Sequence, residues 1–489
     1  MNGVDTSPLV GLERAPAHKR AVFENAERMA NERDTWIEKN AAYYRDDRRY
    51  LRFIIPEGAR VLDLGCGTGS LLSVLKPSRG VGVDFSPAMI AKARTSYPNL
   101  EFILEDIENP RALASIEGEF DFIVLSDTIG SLEDIEETLQ GLHPLCSAAT
   151  RIVIAYFSPL WEPLINLASK VGLRMPQPQV NLISSIDFLN IMDLTEFQSI
   201  RTEMRQLVPF KLLGIGRLIN RFIAPLPGIR RLCLRTYFVI RSLKAQRPMD
   251  LSTTILIPCR NERGNIERAI KEMPRFGGHQ EIIFVEGNSR DDTYAECQRV
   301  KKVYDGVWDI KVLQQDGKGK GDAVRKGFDA ASGDVLMILD ADLTVPPTAL
   351  PKFYRAVASG KGDFINGTRL VYPMEDEAMR FLNHVANRTF AKIFSYLLNQ
   401  RLTDTLCGTK VLMRSAYRQI VAGRGYFGDF DPFGDFDLIF GAAKQSQRIV
   451  EVPVHYKART YGETQISRFR DGWLLIRMVL FAFKKLKAI

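Results

Sequence analysis

The chain runs to 489 residues, 45% hydrophobic and 25% charged, enough for two or three domains and too apolar for a disordered or collagen-like protein. Lysine and arginine outnumber aspartate and glutamate by 66 to 58, a net charge of +8, which bears on partners such as phosphates, membrane surfaces or nucleic acid and not on fold. The six cysteines are scattered, with no CxxC pair and no Cys/His cluster, which argues against a zinc site or a disulfide framework and for a reducing cytoplasm.

In chain order, the amino terminus MNGVDTSPLVGLERAPAHKR lacks the apolar stretch of a secretion signal. Short β-branched runs then alternate with helical spacing: RVLDLG (60–65), GVGVD (80–84), LEFILED (100–106), FDFIVLSD (120–127) and TRIVIAYF (150–157). A second series begins at TTILIPCRNE (253–262) and continues through EIIFVEG (281–287), IKVLQQ (310–315), DVLMILDAD (334–342) and DFINGT (363–368). Such alternation predicts an α/β protein with two mostly parallel sheets covered by helices. The polar joint KAQRPMDLS (244–252) sets the boundary between a first domain over 1–246 and a second over 250–489.

Two stretches carry the positive charge. Between Arg205 and Arg247 stand ten basic residues and no acidic one, interleaved with LLGIGRLINRFIAPLPGIRRL; this reads as a basic amphipathic surface suited to an anionic bilayer, or as a solvated helical cap over the first domain. The closing segment WLLIRMVLFAFKKLKAI (473–489) presents an apolar face ahead of Lys484, Lys485 and Lys487 and reads as membrane-facing. Its apolar run from Trp473 to Phe483 is eleven residues broken by Arg477, short of the roughly 20 that a spanning helix needs. The expectation is a cytoplasmic protein held peripherally at the inner face of a membrane.

The turn Asp63-Leu64-Gly65-Cys66-Gly67-Thr68-Gly69 follows a strand and opens a helix, so its glycines let a cofactor approach the backbone. Ser70 stands where a dinucleotide fingerprint places its third glycine, which weakens a pyrophosphate reading. Asp84 closes the next strand, placed for ribose hydroxyls, and Asp106 closes the one after, placed beside an adenine amino group. Residues 40 to 245 resemble a class I S-adenosylmethionine-dependent methyltransferase, with its Rossmann-like fold. The resemblance implies that Asp63 and Asp84 contact the amino-acid and ribose parts of the cofactor and Asp106 its adenine, with Gly65, Gly67 and Gly69 forming the turn. Ser126 and Asp127, ending the fourth strand, stand where such enzymes often touch the methyl acceptor; a helix cap is the alternative for Asp127. Tyr43 and Tyr44 either close over the cofactor or pack in the core.

In the second series, Asp340-Ala341-Asp342 follows the apolar strand VLMIL. Two carboxylates one residue apart at a strand's carboxyl end can hold a hard divalent cation that also binds a diphosphate. Its company is Pro258-Cys259-Arg260-Asn261-Glu262, then Glu286 to Thr293 with Ser289, then Lys318-Gly319-Lys320-Gly321, which supply acids for base and ribose and cations for phosphate. With Gly367-Thr368-Arg369 and the late run from Val452 to Thr464, these residues resemble a family 2 inverting glycosyltransferase of the GT-A, nucleotide-diphospho-sugar transferase fold, nearest the dolichyl- and polyprenyl-phosphate glycosyltransferases. The resemblance implies that Glu286 binds the nucleotide, Asp340 and Asp342 handle Mg²⁺ or Mn²⁺ and the diphosphate, and Arg459 with the following loop grips phosphate. Two departures stand out: Glu286-Gly287 where the family commonly has two acids, and Thr464-Gln465 where it has Ser-Lys, though Arg468 and Arg470 follow. Asp435 and Asp437 in GDFDL lie where relatives place acids near the reaction centre, or they cap a helix.

The partners expected are a nucleotide-diphospho-sugar, a lipid phosphate and the membrane surface. A polyprenyl phosphate brings an attacking oxygen that is already anionic, so no strong base is required; of the five histidines only His455, inside the late run, falls within these motifs. A saccharide acceptor would need a base, with Asp435 or Asp437 the residue to test. A processive polysaccharide synthase is echoed by Gln465-Ile466-Ser467-Arg468-Phe469 but would bring spanning helices. A first domain that binds S-adenosylmethionine only to regulate the second is the non-enzymatic alternative. No nucleic-acid recognition motif is present in the sequence.

Overall fold

The computed structural model describes residues 15–489 apart from 179, 246–249, 373–380, 429–433, 460 and 462–467. The middle of the joint at 244–252, Thr460, the loop from Gly462 to Thr464 and the Gln465-Ile466-Ser467 part of the synthase echo lie outside the described residues, as do the side chains of Arg468 and Arg470. The chain divides into two compact units, Met1–Gln246 with Lys487–Ile489, and Arg247–Leu486.

The first unit holds a seven-stranded sheet in the order β3-β2-β1-β4-β5-β7-β6. Its strands are β1 (Arg60–Leu64), β2 (Arg79–Asp84), β3 (Glu101–Leu104), β4 (Phe122–Ser126), β5 (Arg151–Phe157), β6 (Phe197–Arg205) and β7 (Arg235–Ser242). The first five pair in parallel and β7 runs antiparallel to both of its neighbours. Burial of Leu62, Leu64, Val81, Val83, Ile123, Leu125, Ile152 and Ile154 forms the core against flanking helices, as a parallel sheet covered on both faces requires.

The second unit repeats the plan with β8 (Thr253–Cys259), β9 (Gln280–Glu286), β10 (Asp309–Gln314), β11 (Val335–Ile338), β12 (Phe364–Thr368), β13 (Lys410–Met413) and β14 (Ile449–Pro453), ordered β10-β9-β8-β11-β13-β12-β14. Only β13 is antiparallel to its neighbours. The helix Leu350–Ala358 buries Leu350, Phe353, Tyr354 and Val357, the i, i+3, i+4, i+7 face, against this sheet's core.

Ten expected strands are present, and β6, β7, β13 and β14 are additional. Strand β7 corrects the reading of 205–247 as one basic amphipathic surface or helical cap. Arg235, Thr236, Tyr237, Phe238, Val239, Ile240, Arg241 and Ser242 are all buried in the sheet, with Arg235 fully enclosed. The burial is possible because each guanidinium has a polar partner: Arg241 donates to the Gln198 side chain at 2.8 Å, and Arg235 meets two carboxylates described below. Between β6 and β7 the excursion 206–234 reaches solvent as a basic, apolar surface.

The closing segment also differs from a purely membrane-facing helix. Helix Arg468–Ala482 and the turn after it bury Leu475, Met478, Ala482 and Leu486, while Trp473, Ile476 and Leu480 are exposed. Lys487 is wholly buried inside the first unit, its Nζ 3.0 and 3.1 Å from the two Glu203 carboxylate oxygens, so it is not available to a bilayer. Its carbonyl accepts from Arg205 Nη2 at 2.7 Å. Burial works to raise the Glu203 carboxyl, but Lys487, Arg205 and Arg201 together bring it down to about 2. Burial lowers the Lys487 ammonium to about 7, against the attraction of Glu203 and helped by the two arginines. Three cations around one carboxylate push both groups the same way.

A folded carboxyl below its ordinary 4.5 contributes stability that is complete above that pH and lost as pH falls toward 2. Glu203→Gln, which strands buried cations, is therefore expected to destabilise the first unit by about 3 kcal/mol at neutral pH in urea denaturation, and to flatten the acid-side fall in melting temperature. An unchanged midpoint would show that the pair contributes no net stability.

Candidate functional sites

In both sheets the strand order reverses direction at one place, between β1 and β4 and between β8 and β11. Connections leave such a pair toward opposite edges, so a crevice opens beyond its carboxyl ends. Some of the residues singled out from the sequence lie at these two crevices and others do not.

In the first unit, β1 runs into a turn whose Gly65, Gly67 and Gly69 have φ of 80°, 55° and 76°, left-handed values that a side chain would strain. Asp84 braces this turn: its Oδ2 accepts from Gly67 N at 2.8 Å and its Oδ1 from Ser86 N at 3.0 Å. Burial raises the Asp84 carboxyl, opposed by those two amides. Asp63 is buried and its Oδ2 has no hydrogen-bond partner. Burial, reinforced by the Asp84 charge and opposed by Arg33, pushes its carboxyl up to about 7. Asp106 lies two residues beyond β3, 2.6 Å from Lys19 Nζ of the helix Ala17–Met29.

An open cleft brings together Asp63, Gly65, Ser126 and Asp127 with Arg33, Tyr44, Asp47, Arg48 and Ser70. Gly67, Gly69, Asp84 and Asp106 are not in its lining. Tyr44 lines the cleft; Tyr43 packs against Phe157, their ring centroids 6.0 Å apart. Ser126 and Asp127 do not stand alone. Arg235 from β7 forms an ion pair with Asp127, reaches Ser126 Oγ at 3.4 Å and pairs with Asp47 at 3.1 Å, while Tyr237 donates to Asp47 at 2.6 Å. Burial raises the Asp47 carboxyl, opposed by Arg235. The sequence analysis did not single out Asp47, Arg48 or Arg235 as site residues; the cue for Asp47 was that it shares a helix face with Tyr43, Tyr50 and Leu51.

In the second unit, β8 carries Pro258 and ends beside Asn261, whose backbone N donates to Ser289 Oγ at 2.9 Å and whose Oδ1 accepts from Arg290 N at 2.8 Å. Asn261 has φ of 57°, a value asparagine tolerates. Glu286, buried at the end of β9, accepts from Ser289 N at 2.5 Å. These bonds join two predicted nucleotide-binding loops into one. Glu262 accepts from Asn265 Nδ2 at 2.7 Å, and burial, aided by Asp342, raises its carboxyl.

Beyond β11 the charges alternate. Asp340 Oδ1 lies 2.7 Å from Lys320 Nζ, which is 3.7 Å from Asp435 Oδ1, which in turn is 3.3 Å from the buried Lys410 Nζ. Burial works to raise the Asp340 carboxyl, but Lys320, Lys410 and Arg369 hold it below its ordinary value. Burial works to lower the Lys320 ammonium, but Asp340 and Asp435 raise it. Asp342 accepts from the Thr344 hydroxyl at 2.8 Å through Oδ1 and pairs with Arg459 at 2.7 Å through Oδ2. Arg369 grips the buried Asp404 at 2.7 and 2.8 Å, a two-pronged pair. Lys318 is exposed two residues ahead of Lys320.

Asp435 joins this cluster and makes no side-chain cap to the helix Phe436–Lys444. Asp437 pairs with Arg424 at 3.0 Å and is not part of it. Lys410, Asp404 and Gly408 are site residues that the sequence reading missed, all in the run TDTLCGTK. A Cβ on Gly408 would lie 1.8 Å from Asp340 Oδ2, so only glycine lets this loop cover the acid; the glycine was the available signal.

Two family models match, one in each half of the chain. Residues 36–202 match the family model described as a methyltransferase domain, and 254–421 match glycosyl transferase family 2. A dolichol-phosphate mannosyltransferase of Pyrococcus furiosus is 27% identical over 224 residues, 44% of this chain and 60% of that protein. A dolichyl-phosphate hexose transferase of Haloferax volcanii is 28% identical over 215 residues, 43% of this chain and 85% of its own length. A low-salt glycan biosynthesis hexosyltransferase of the same organism is 27% identical over 249 residues, and the chain spans 55% of it. Among solved structures, glucosyl-3-phosphoglycerate synthase from Mycobacterium tuberculosis with Mn²⁺ and uridine diphosphate covers 48% of this chain and 80% of its own at 15% identity, TM-score 0.36. A possible histamine N-methyltransferase from Thermotoga maritima covers 45% and 100% at 16% identity, TM-score 0.36. The polypeptide thus carries, one in each half, a segment that matches a methyltransferase-domain model and a segment that matches a family 2 glycosyl transferase model.

Proposed function

We propose that the second unit transfers a sugar, with inversion, from a nucleotide diphosphate to a polyprenyl phosphate, and that the first transfers a methyl group from S-adenosylmethionine to an acceptor in the same glycan or cell-envelope pathway. In this reading both reactions take place at the cytoplasmic face of a membrane. The observation that carries the glycosyl reading is the alternating cluster of Asp340, Lys320, Asp435 and Lys410 beyond β11, together with relatives named for dolichyl-phosphate substrates. Asp340 and Asp342 are hard oxygen donors, and their chemistry fits Mg²⁺ or Mn²⁺, which when bound supplies Lewis-acid charge to the diphosphate. Lys320 and Arg459, now paired with those two acids, are placed to meet the negative charge of the leaving diphosphate. The anionic acceptor needs no base. Asp435 is already engaged by two ammonium groups, which favours a phosphate acceptor over a saccharide one.

For the methyl transfer, the partnerless Asp63 carboxylate fits a cationic amino-acid group beside the glycine turn. Methyl transfer by in-line displacement rests largely on positioning, so the roles fall to Asp63 and Tyr44 as cofactor contacts and to Asp127, fixed by Arg235, at the acceptor side of the cleft.

Two outcomes test these roles. With a panel of nucleotide sugars, polyprenyl phosphate and Mg²⁺ or Mn²⁺, the chain is expected to form a chloroform-extractable sugar lipid, and Asp340→Ala to lose activity by on the order of a hundredfold or more; transfer only to a saccharide would reject the lipid-phosphate reading. A carboxyl held up to about 7 must ionise to receive a cation, so S-adenosylmethionine affinity by calorimetry is expected to weaken by up to roughly tenfold per pH unit below that value. Asp63→Asn should bind weakly with no such dependence. Cofactor binding without methyl transfer to any extract would leave the first unit a regulatory scaffold.

A further inference from the structure

The excursion 206–234 turns its apolar side chains outward. Phe210, Leu212, Leu213, Ile215, Leu218 and Phe222 are exposed, Leu213 completely. Leu212 and Leu213 have φ of 40° and 50°, a left-handed conformation that is a genuine outlier for leucine. Strain of this kind persists only where the surroundings hold it, and it gathers at sites of function. Here it points two large apolar groups into water, where burial gains nothing. Lys211, Arg217 and Arg231 are exposed on the same excursion, and no acidic residue occurs between Glu203 and Asp250.

This surface belongs to the rim of the methyl-transfer cleft. Gln206 donates to Tyr43 O at 2.7 Å and Asn220 to Asp46 Oδ2 at 2.9 Å, both on the helix that gives Tyr44, Asp47 and Arg48 to the cleft. A second exposed apolar segment, with Leu160, Leu164 and Leu167, is joined to the first by Trp161 Nε1 donating to Leu232 O at 2.8 Å. It is joined to the helix Arg33–Lys39, source of Arg33 in the cleft, by Lys39 Nζ on Gly172 O at 2.8 Å.

Resting on the reading of the first unit as a methyltransferase, we infer that this rim docks on an anionic lipid bilayer and that the methyl acceptor is a lipid-anchored molecule presented from it. Within 206–234, apolar side chains interleaved with cations and no acid to repel phosphate headgroups are the complement of an anionic interface, while Glu162 is the one exposed acid among Leu160, Leu164 and Leu167. A protein partner of equal apolar character would not call for an acid-free excursion.

The test uses the full chain with phosphatidylglycerol and phosphatidylcholine vesicles at physiological salt. Co-sedimentation with the anionic vesicles is expected, with the bound fraction falling roughly tenfold in Leu213→Asp/Leu218→Asp and in Lys211→Glu/Arg217→Glu. Both variants change exposed residues, and an unaltered melting temperature with unaltered S-adenosylmethionine binding checks that they fold. Tritiated methyl from the cofactor is expected in the organic phase of a membrane-lipid extract. Sedimentation that is absent, indifferent to lipid charge, or unchanged in both variants overturns the inference, as does self-association abolished by the same substitutions. Failure of the parent chain to bind the cofactor would instead overturn the methyltransferase reading, a result independent of the vesicle measurement.

Discussion

Both crevices depend on the handedness of parallel β-sheet crossovers. Because a strand–helix–strand connection is right-handed, a sheet that grows in both directions from a central pair must leave that pair's carboxyl ends uncovered. In this chain the pairs are β1 with β4 and β8 with β11. Acids carried at those ends, Asp63 and Asp127 in one unit and Glu262, Asp340 and Asp342 in the other, converge without long loops to position them. The chemistry differs because the residues at the strand ends differ: glycine and a partnerless acid in the first, alternating carboxylates and ammonium groups in the second.

Electrostatic balance separates the two regions further. In the second unit, Asp340, Asp342, Asp404 and Asp435 each face a protein cation. A ligand entering there exchanges partners within a site of nearly constant charge, which lowers the cost of burying it. In the first unit Asp127 and Asp106 are matched by Arg235 and Lys19, whereas the Asp63 Oδ2 has no hydrogen-bond partner and Arg33 only partly offsets the effect of burial on its carboxyl.

Much of this was legible in the sequence for a physical reason. Parallel strands buried on both faces are continuous apolar runs, and DLGCGTG and DAD punctuate them with residues that strand ends rarely carry by chance. Strands β6, β7 and β13 were not legible because their signal is mixed. Arg235 and Arg241 flank a five-residue core, and the charges suggested solvent until Asp47 and Gln198 supplied partners from elsewhere in the chain. The same holds for Lys410: a lysine after CGT carries no local sign that it will be enclosed beside Asp435. Residues placed by neighbours distant in sequence stay invisible to any reading of local pattern. Asp435 and Asp437, two positions apart, illustrate it, since one faces Lys320 and the other Arg424.

Lys487 has a consequence for how the molecule is made. The first unit's β-sheet is complete by Ser242, yet the cation that balances its buried Glu203 lies after the whole of the second unit. In connectivity, the second unit is an insertion between the body of the first unit and the buried Lys487. During synthesis the first unit therefore waits, incompletely locked, until the ribosome has translated the second, and a chain cut short anywhere in between leaves Glu203 without its lysine.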